Sequence, residues 1–264
     1  MNNTKVFLKD EKVFQKIIQA SDLNSEDVVI EIGSGDGRLT KHIAPYVKKV
    51  YAIELDTNLF DSARTLLEDN KNIEFINGDA LDLEFPDDAN KIISNLPYAI
   101  SSPITEKIIY FLNNKKDGLA VLMYQLEFGE RMLAFPGIRD YSMISVFTQY
   151  TCNIKLVSMV SKNAFRPRPA VESILLKVTP KKISINEDFL EFARLLFQHK
   201  KKNLYSALIA SRGKLNLKSK DDLRQKLLEF KYKEKLKKKV FYLEISELED
   251  IYDEMLRIEI CKKK

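Results

Sequence analysis

Apolar positions along the chain fall into two regimes. Val13, Phe14, Ile17 and Ile18 stand at helical spacing, and the polar stretch 21–25 ends that pattern. Short apolar runs then take over at 27–32, 49–53, 73–76 and 91–94, running into Gly33, Glu54, Asn77 and Asn95. Runs that are apolar throughout suit strands buried on both faces of a parallel sheet. Helical patterns at 38–44 and 59–67 separate the first of them, a fifth buried strand is expected at 118–123, and 125–133 reads as helix. The stretches 154–160 and 173–178 complete the sheet. Alternation of this kind predicts an α/β fold with a Rossmann-like, doubly wound sheet.

Beyond 180–182 the spacing is helical to the end. Phe189, Phe192 and Leu196, then Leu204, Ala207 and Leu208, then Leu223, Leu227 and Leu228, then Leu248, Ile251 and Met255 each mark one helix face. Two domains follow: an α/β domain over 1–180 and a small all-helical domain over 183–264.

Composition narrows the class. An apolar share of 45% in 264 residues can fill a sizeable core. No window of about 18 apolar residues offers a membrane span, and the first ten residues lack a signal-peptide core, so a cytosolic protein is expected. Cys152, Cys261, His42 and His199 are scattered, which supports neither a disulfide framework nor a metal site. No heptad repeat or apolar stripe stands out, and a monomer is expected.

Charge is divided unevenly. Residues 1–180 carry 21 Lys+Arg against 24 Asp+Glu, whereas 181–264 carry 22 against 14. A net charge of +8 on the last third favours a phosphate backbone as partner. Lys200, Lys201, Lys202, Arg212, Lys214 and the run 231–239 are the expected contacts, although any single lysine also serves solubility.

The strand ends carry the chemistry. Gly33-Ser34-Gly35-Asp36-Gly37 places three of the chain's eight glycines in five residues, letting a ligand approach backbone at a helix N-terminus. Glu54 ends the second strand, where a ribose diol is gripped. Asp79 ends the third and is placed to accept from an adenine amine, although taken alone it reads as a turn residue. Asn95-Leu96-Pro97-Tyr98 ends the fourth: an amide, an outward carbonyl and an aromatic face together make a holder for a planar amine. Each element alone also suits an ordinary turn, but four in order at βα spacing are specific. The G-x-G-x-G pattern lacks the pyrophosphate fingerprint of nicotinamide dinucleotide sites. The set looks like a class I methyltransferase that uses S-adenosyl-L-methionine and acts on an amino nitrogen.

These motifs, with Val121-Leu122-Met123-Tyr124-Gln125, Ala164-Phe165-Arg166-Pro167-Arg168-Pro169 and Phe197-Gln198-His199-Lys200-Lys201-Lys202-Asn203-Leu204, resemble in sequence and order the KsgA/Dim family of small-subunit ribosomal RNA adenine dimethyltransferases, most of all its archaeal branch. The resemblance covers nearly the whole chain. It implies N6,N6-dimethylation of two adjacent adenosines near the 3′ end of that RNA, within an assembling small ribosomal subunit. It also implies that Gly33, Gly35, Glu54 and Leu55 hold the cofactor, with Asp79 and Ala80 at its adenine, Leu8 in an N-terminal lid, and Asn95 to Tyr98 around the target base. Phe165 would stack on that base; taken alone it reads as a core phenylalanine. The chain departs from the family at its start, where Lys5 and Val6 replace a Gln-Asn pair. An Erm-type enzyme acting on large-subunit RNA and a non-catalytic assembly factor of the same fold are the competing readings; a DNA adenine methyltransferase fits the helical tail less well.

Overall fold

The computed structural model describes residues 6–261. They fold into two compact units, one comprising the chain up to Gly129 together with Thr151–Ile183, the other Glu130–Tyr150 with Ser184 onward. The segment 130–150 groups with the second unit, although its position in the chain falls inside the stretch expected for the α/β domain. Nothing in its sequence marks the crossing, because one helix, Leu126–Leu133, runs through it.

In chain order the elements of the first unit are β1 (Phe7–Leu8), α1 (Glu11–Ala20), β2 (Val28–Ile32), α2 (Arg38–Ile43), β3 (Lys49–Glu54), α3 (Thr57–Leu66), β4 (Ile73–Asn77), β5 (Lys91–Asn95), α4 (Ser101–Asn113) and β6 (Leu119–Gln125). The boundary helices α5 (Leu126–Leu133) and α6 (Met143–Thr151) come next, and β7 (Cys152–Val160), β8 (Phe165–Arg166) and β9 (Ser173–Pro180) complete the unit. Seven strands form one sheet in the order β4-β3-β2-β5-β6-β9-β7. The first five are parallel, and β9 and β7 join as antiparallel neighbours. Chain order reverses direction between β2 and β5, which makes the crevice beyond their carboxyl ends the expected ligand site.

The apolar runs explain the strands. All five residues of β2 are buried, as are the first four of β5 and the first six of β6. Helices begin where a side chain replaces a missing backbone partner: Asp10 accepts from the Lys12 amide, and Asp56 from the Leu59 amide. The short ribbon of β1 with β8 had no readable period, since two-residue strands carry none.

Away from the crevice, the amino ends of β2 and β5 are joined by a buried ion pair. Lys91 Nζ lies 2.7 Å from Asp27 Oδ2, with the two side chains 6% and 4% exposed. Lys91 also donates to the Ser21 and Asp22 carbonyls, while Asn90 and the Asn24 amide donate to Asp27. Burial works against the charge of Asp27, but Lys91, Asn90 and Asn24 together hold it below its ordinary value.

The second unit is helical. Its further elements are α7 (Glu187–Phe197), α8 (Leu204–Ser211), α9 (Lys220–Lys226) and α10 (Ile245–Arg257). Asn186, Asn203 and Ser219 cap the first three, and Glu244 with Glu247 forms a capping box on the fourth. The rings of Phe189 and Phe192 pack against Tyr252, joining α7 to α10. Leu228, expected on a buried face, is 65% exposed because α9 ends at Lys226 and the chain tightens into a 3₁₀ turn.

The basic residues of this unit divide into two sets. Lys200 donates to the carbonyls of Arg139 and Tyr141 at 2.9 and 2.8 Å. Lys235 and Lys238 both bind Glu247; burial opposes the charge of that carboxylate, yet the two lysines pull it down to about 2. These three cations are committed within the fold, contrary to the expectation that the whole run faces a partner. Among the described residues no helix is long and apolar enough to cross a membrane, and no cluster of His, Cys, Asp and Glu is placed to hold a metal ion.

Replacing Lys91 by Met leaves the Asp27 charge buried without its counter-ion. Denaturant unfolding should show a loss of about 3–5 kcal/mol, and because the pair sits at the opposite strand ends from the crevice, ligand affinity at the crevice should be unchanged in the folded variant.

Candidate active site at the carboxyl edge of the sheet

A cavity of about 590 Å³ opens at the carboxyl ends of β2, β3 and β5, within the range of roughly 300–1,000 Å³ typical of small-molecule sites. The loop after β2 forms its floor. Gly33 and Gly35 have φ of +71° and +56°, a region that L side chains enter only at a cost. Both are also crowded: a Cβ on Gly33 would lie 3.2 Å from Pro97 Cγ, and one on Gly35 would lie 3.2 Å from the Phe7 ring. The loop therefore fits between the turn after β5 and the N-terminal strand only as bare backbone.

Glu54, at the end of β3, fixes this loop from the side. Its Oε2 accepts from the Gly35 amide and its Oε1 from the Asp56 amide, each at 2.9 Å. Each carboxylate oxygen accepts from more than one direction, so ligand hydroxyls can be added to these bonds. Leu55 and Asp56 extend the same wall.

A second acid lies deeper. Glu31 lines the cavity from the interior of β2 and is 1% exposed, with one oxygen accepting from Thr40 Oγ1 at 2.5 Å. Burial raises its carboxyl to about 8; the Thr40 hydroxyl opposes the shift, and the nearby charges of Asp36 and Glu54 add to it. Beside it, Ser34 Oγ is buried without a hydrogen-bond partner. A buried polar atom in that state is suited to receive a ligand's polar group.

The segment from Asn95 to Tyr98 forms the opposite wall. Asn95 is the last residue of β5, and the Leu96 amide donates to the Met123 carbonyl on β6 at 3.2 Å, so both positions are set by the sheet. Pro97, with φ −60° and ψ 122°, turns the chain out of the sheet. The Asn95 side-chain amide and the Leu96 carbonyl have no protein partner among the described residues. Tyr98 is held by a 2.9 Å hydrogen bond between its hydroxyl and Ser173 Oγ on β9, and burial raises its phenol above the ordinary value while that bond opposes the rise.

Val6, Phe7 and Leu8 close the cavity at the N-terminal side. Lys5, the other residue of the substituted pair, lies outside the described residues. The strand β1 is tied down by pairing Leu8 with Phe165 and by the Lys9 amide, which donates to the Ala164 carbonyl at 2.9 Å.

Thus Leu8, Gly33, Gly35, Glu54, Leu55 and Asn95 to Tyr98 converge on one cavity, and three expected residues do not line it. Asp79 Oδ1 accepts from the Leu81 amide at 2.8 Å, the turn role that the residue suggests when taken alone. Ala80, beside it, is buried. This loop is anchored from α4 by Lys107, whose ammonium donates to the carbonyls of Ala80 and Leu81 at 2.8 and 2.9 Å and to that of Leu83. Phe165 is 2% exposed and belongs to the apolar core with Leu8, Phe14 and Val160. Expected against a target base, its ring instead lies beneath the N-terminal strand.

Sequence reasoning places Glu31 and Ser34 in the glycine-loop motif without a role of their own, and Phe7 beside Leu8 as an apolar anchor. A signal for Glu31 is available, since a carboxylate inside a wholly apolar run must be buried and must have a reason to be there. The contact of Phe7 with Gly35 has none, because it follows from the β1–β8 pairing.

Comparison with known proteins agrees with this geometry. A sequence model of the family described as ribosomal RNA adenine dimethylase matches residues 2–247. A protein of Methanococcus aeolicus named probable ribosomal RNA small subunit methyltransferase A is 39% identical over 261 residues, covering 96% of this chain and 94% of its own length. A protein of Pyrococcus abyssi with the same name is 39% identical over 253 residues, covering 95% and 89%. Among solved structures, a dimethyladenosine transferase from Plasmodium falciparum superposes with a TM-score of 0.80 at 29% identity, covering 96% of this chain and 98% of that one. A 23S rRNA methyltransferase, ErmE, shares the fold with a TM-score of 0.66 at 22% identity, covering 94% and 98%. With its glycine loop, Glu54 at the end of β3 and its Asn-Leu-Pro-Tyr turn all meeting at one crevice, this chain belongs to the ribosomal RNA adenine dimethylase family.

Proposed function

We propose that this protein transfers methyl groups from S-adenosyl-L-methionine to the N6 atoms of adenosines in small-subunit ribosomal RNA, two methyls to each of two adjacent residues near the 3′ end, while the subunit is assembling. The observation that carries this reading is the presence of an uncommitted amide and an uncommitted carbonyl, Asn95 and Leu96, on the same cavity as the glycine loop and Glu54. The names of the relatives point to the same substrate class.

The residues present fit the cofactor. Ser34 Oγ needs a polar partner, the bare backbone of Gly33 and Gly35 allows close approach, Glu54 can accept from a diol, and Glu31 offers a carboxyl to a cation. When bound, S-adenosylmethionine supplies a methyl group on a positively charged sulfur.

The chain's task is to present the amine. The N6 lone pair of adenine is delocalised into the ring and is a poor nucleophile. Accepting both N6 protons, at the Asn95 side-chain oxygen and the Leu96 carbonyl, favours a pyramidal nitrogen whose lone pair points away from the ring plane. Tyr98 holds the base from one side, with its hydroxyl anchored on Ser173. Catalysis then rests on positioning and fixed dipoles, without a protein nucleophile. Adding a methyl leaves N6 positively charged until it sheds one proton to solvent; a single N6 proton then remains, and one of the two acceptors suffices to orient it.

Incubation with S-adenosylmethionine and unmethylated small subunits, followed by mass spectrometry of the digested RNA, should yield N6,N6-dimethyladenosine. Product on large-subunit RNA alone would replace this reading with the Erm-type one. Asn95→Ala should lower kcat by about 10²-fold or more with cofactor affinity unchanged within twofold by calorimetry.

Glu31 provides a test based on pH. Its folded-state value of about 8 lies above the ordinary 4.5, so the native protein holds a proton that the unfolded chain has shed. Without ligand, the stability contributed by that proton is complete below about pH 4.5 and is lost as pH rises through 8. Glu31→Gln should remove this downward slope in melting temperature. In the wild type, calorimetry in buffers of different ionisation enthalpy should detect proton release when the cationic cofactor binds near pH 7.

Lys107→Met releases the loop of Asp79 and Ala80, which stand outside the cavity. It should lower the melting temperature by about 2–4 °C with the KM for S-adenosylmethionine unchanged within twofold; a severalfold rise in KM would bring the loop into the cofactor site.

A further inference from the structure

The helical unit carries an exposed apolar surface for which methyl transfer has no direct use. Three separate stretches build it. In the loop between α5 and α6, Gly137 adopts φ +90° and its amide donates to the Phe241 carbonyl at 2.7 Å. A Cβ there would lie 3.2 Å from the Tyr242 ring. Lys200 holds the same loop through the Arg139 and Tyr141 carbonyls. The Phe241 amide in turn donates to the Lys200 carbonyl at 3.1 Å, and the Val240 amide to the Lys202 carbonyl at 3.0 Å. Loop 135–141, segment 200–202 and segment 239–242 are thereby joined by backbone bonds.

Large apolar side chains on this surface face solvent. Phe135 is 67% exposed, Ile138 49% and Tyr242 47%, and the Tyr242 ring packs on Phe241 with centroids 4.4 Å apart. Four exposed cations surround them: Arg139, Lys201, Lys202 and Lys239. None has an ion-pair partner among the described residues, in contrast to Lys235 and Lys238, which are bound by Glu247. Asp140 and Glu244 are the acidic neighbours, leaving cations in excess.

An apolar patch of this kind on a folded surface marks a contact site, and its rim selects the partner. A protein partner would need an acidic collar around an apolar knob. A single RNA strand offers both components at every step, a phosphate for each cation and a flat base for each ring. We propose that Phe135, Ile138 and Tyr242 form a stacking platform for unpaired bases, with Arg139, Lys201, Lys202 and Lys239 gripping the adjoining phosphates. This deepens the methyl-transfer reading and rests on RNA being the substrate. It gives the helical unit a preference for single-stranded segments, where the excess lysines alone would bind any polyanion.

The chain has no tryptophan, so Phe135→Trp introduces a sole indole reporter. Titration of the full-length variant with a single-stranded oligoribonucleotide should quench its emission, with a midpoint that rises steeply with salt, whereas the same sequence as a perfect duplex should bind with little quenching. The double variant Phe135→Ala/Tyr242→Ala should bind the single strand about tenfold more weakly or worse, raise the KM for unmethylated subunits, and leave kcat, cofactor affinity and melting temperature unchanged. Single-stranded RNA seen by anisotropy to bind the Phe135→Trp variant without changing its indole emission would overturn the platform, as would a double variant that binds single strands like the wild type while still methylating. An emission change that follows protein concentration without RNA would overturn it in favour of self-association. Failure of the wild type to methylate any ribosomal RNA, with the quenching intact, would instead remove the methyl-transfer reading and leave the platform standing.

Discussion

Close approach of backbone to side chain at two glycines is the constraint on which the site depends. Gly33 makes room for Pro97 and Gly35 for Phe7, both in a left-handed conformation. A side chain at either position would push away one wall of the cavity. Glu54 then binds the loop through its Gly35 amide, so the end of β3 determines the shape of the loop after β2. Through these contacts four stretches distant in sequence, around 7, 33, 54 and 97, form one surface. The parallel sheet supplies the frame, and the absence of two β-carbons lets the frame close.

The parts of this arrangement that were legible in the sequence are those carried by period or by local chemistry. Buried strands of an α/β fold declare themselves as apolar runs, and Glu54 and Asn95 stand where those runs end. The helical tail showed its spacing equally plainly. What depends on pairing at a distance was hidden. Phe165 lies before a Pro-x-Pro segment, a context that suits an exposed stacking ring, yet its pairing opposite Leu8 draws it into the core. Asp79, two residues past the end of β4, is a local case instead: its Oδ1 accepts from the Leu81 amide, the turn contact its own sequence suggests. Helix α6 escaped notice because residues 144–148 are all buried, and a helix covered on most sides has no polar stripe to reveal its period.

The basic tail shows why composition alone overstates a binding surface. Lys200, Lys235 and Lys238 belong to the same runs as Lys201, Lys202 and Lys239, yet the first three hold carbonyls and a carboxylate within the fold. A lysine near an acid or a bare carbonyl becomes part of the scaffold, and only what remains can meet a polyanion. The same partition operates in the α/β unit, where Lys91 is fully occupied at the amino edge of the sheet.

The N-terminal ribbon has a kinetic consequence. Strand β1 contributes Phe7 and Leu8 to the cavity, yet among the described residues it pairs with the two residues of β8 and not with any strand of the seven-stranded sheet. Undoing so short a ribbon is a local opening, separate in free energy from unfolding of the sheet. The ribbon can therefore open while the frame stays folded, so the cavity wall made by Phe7 and Leu8 is the least firmly held of its walls, and amide exchange at residues 7–9 should run ahead of exchange in the central strands.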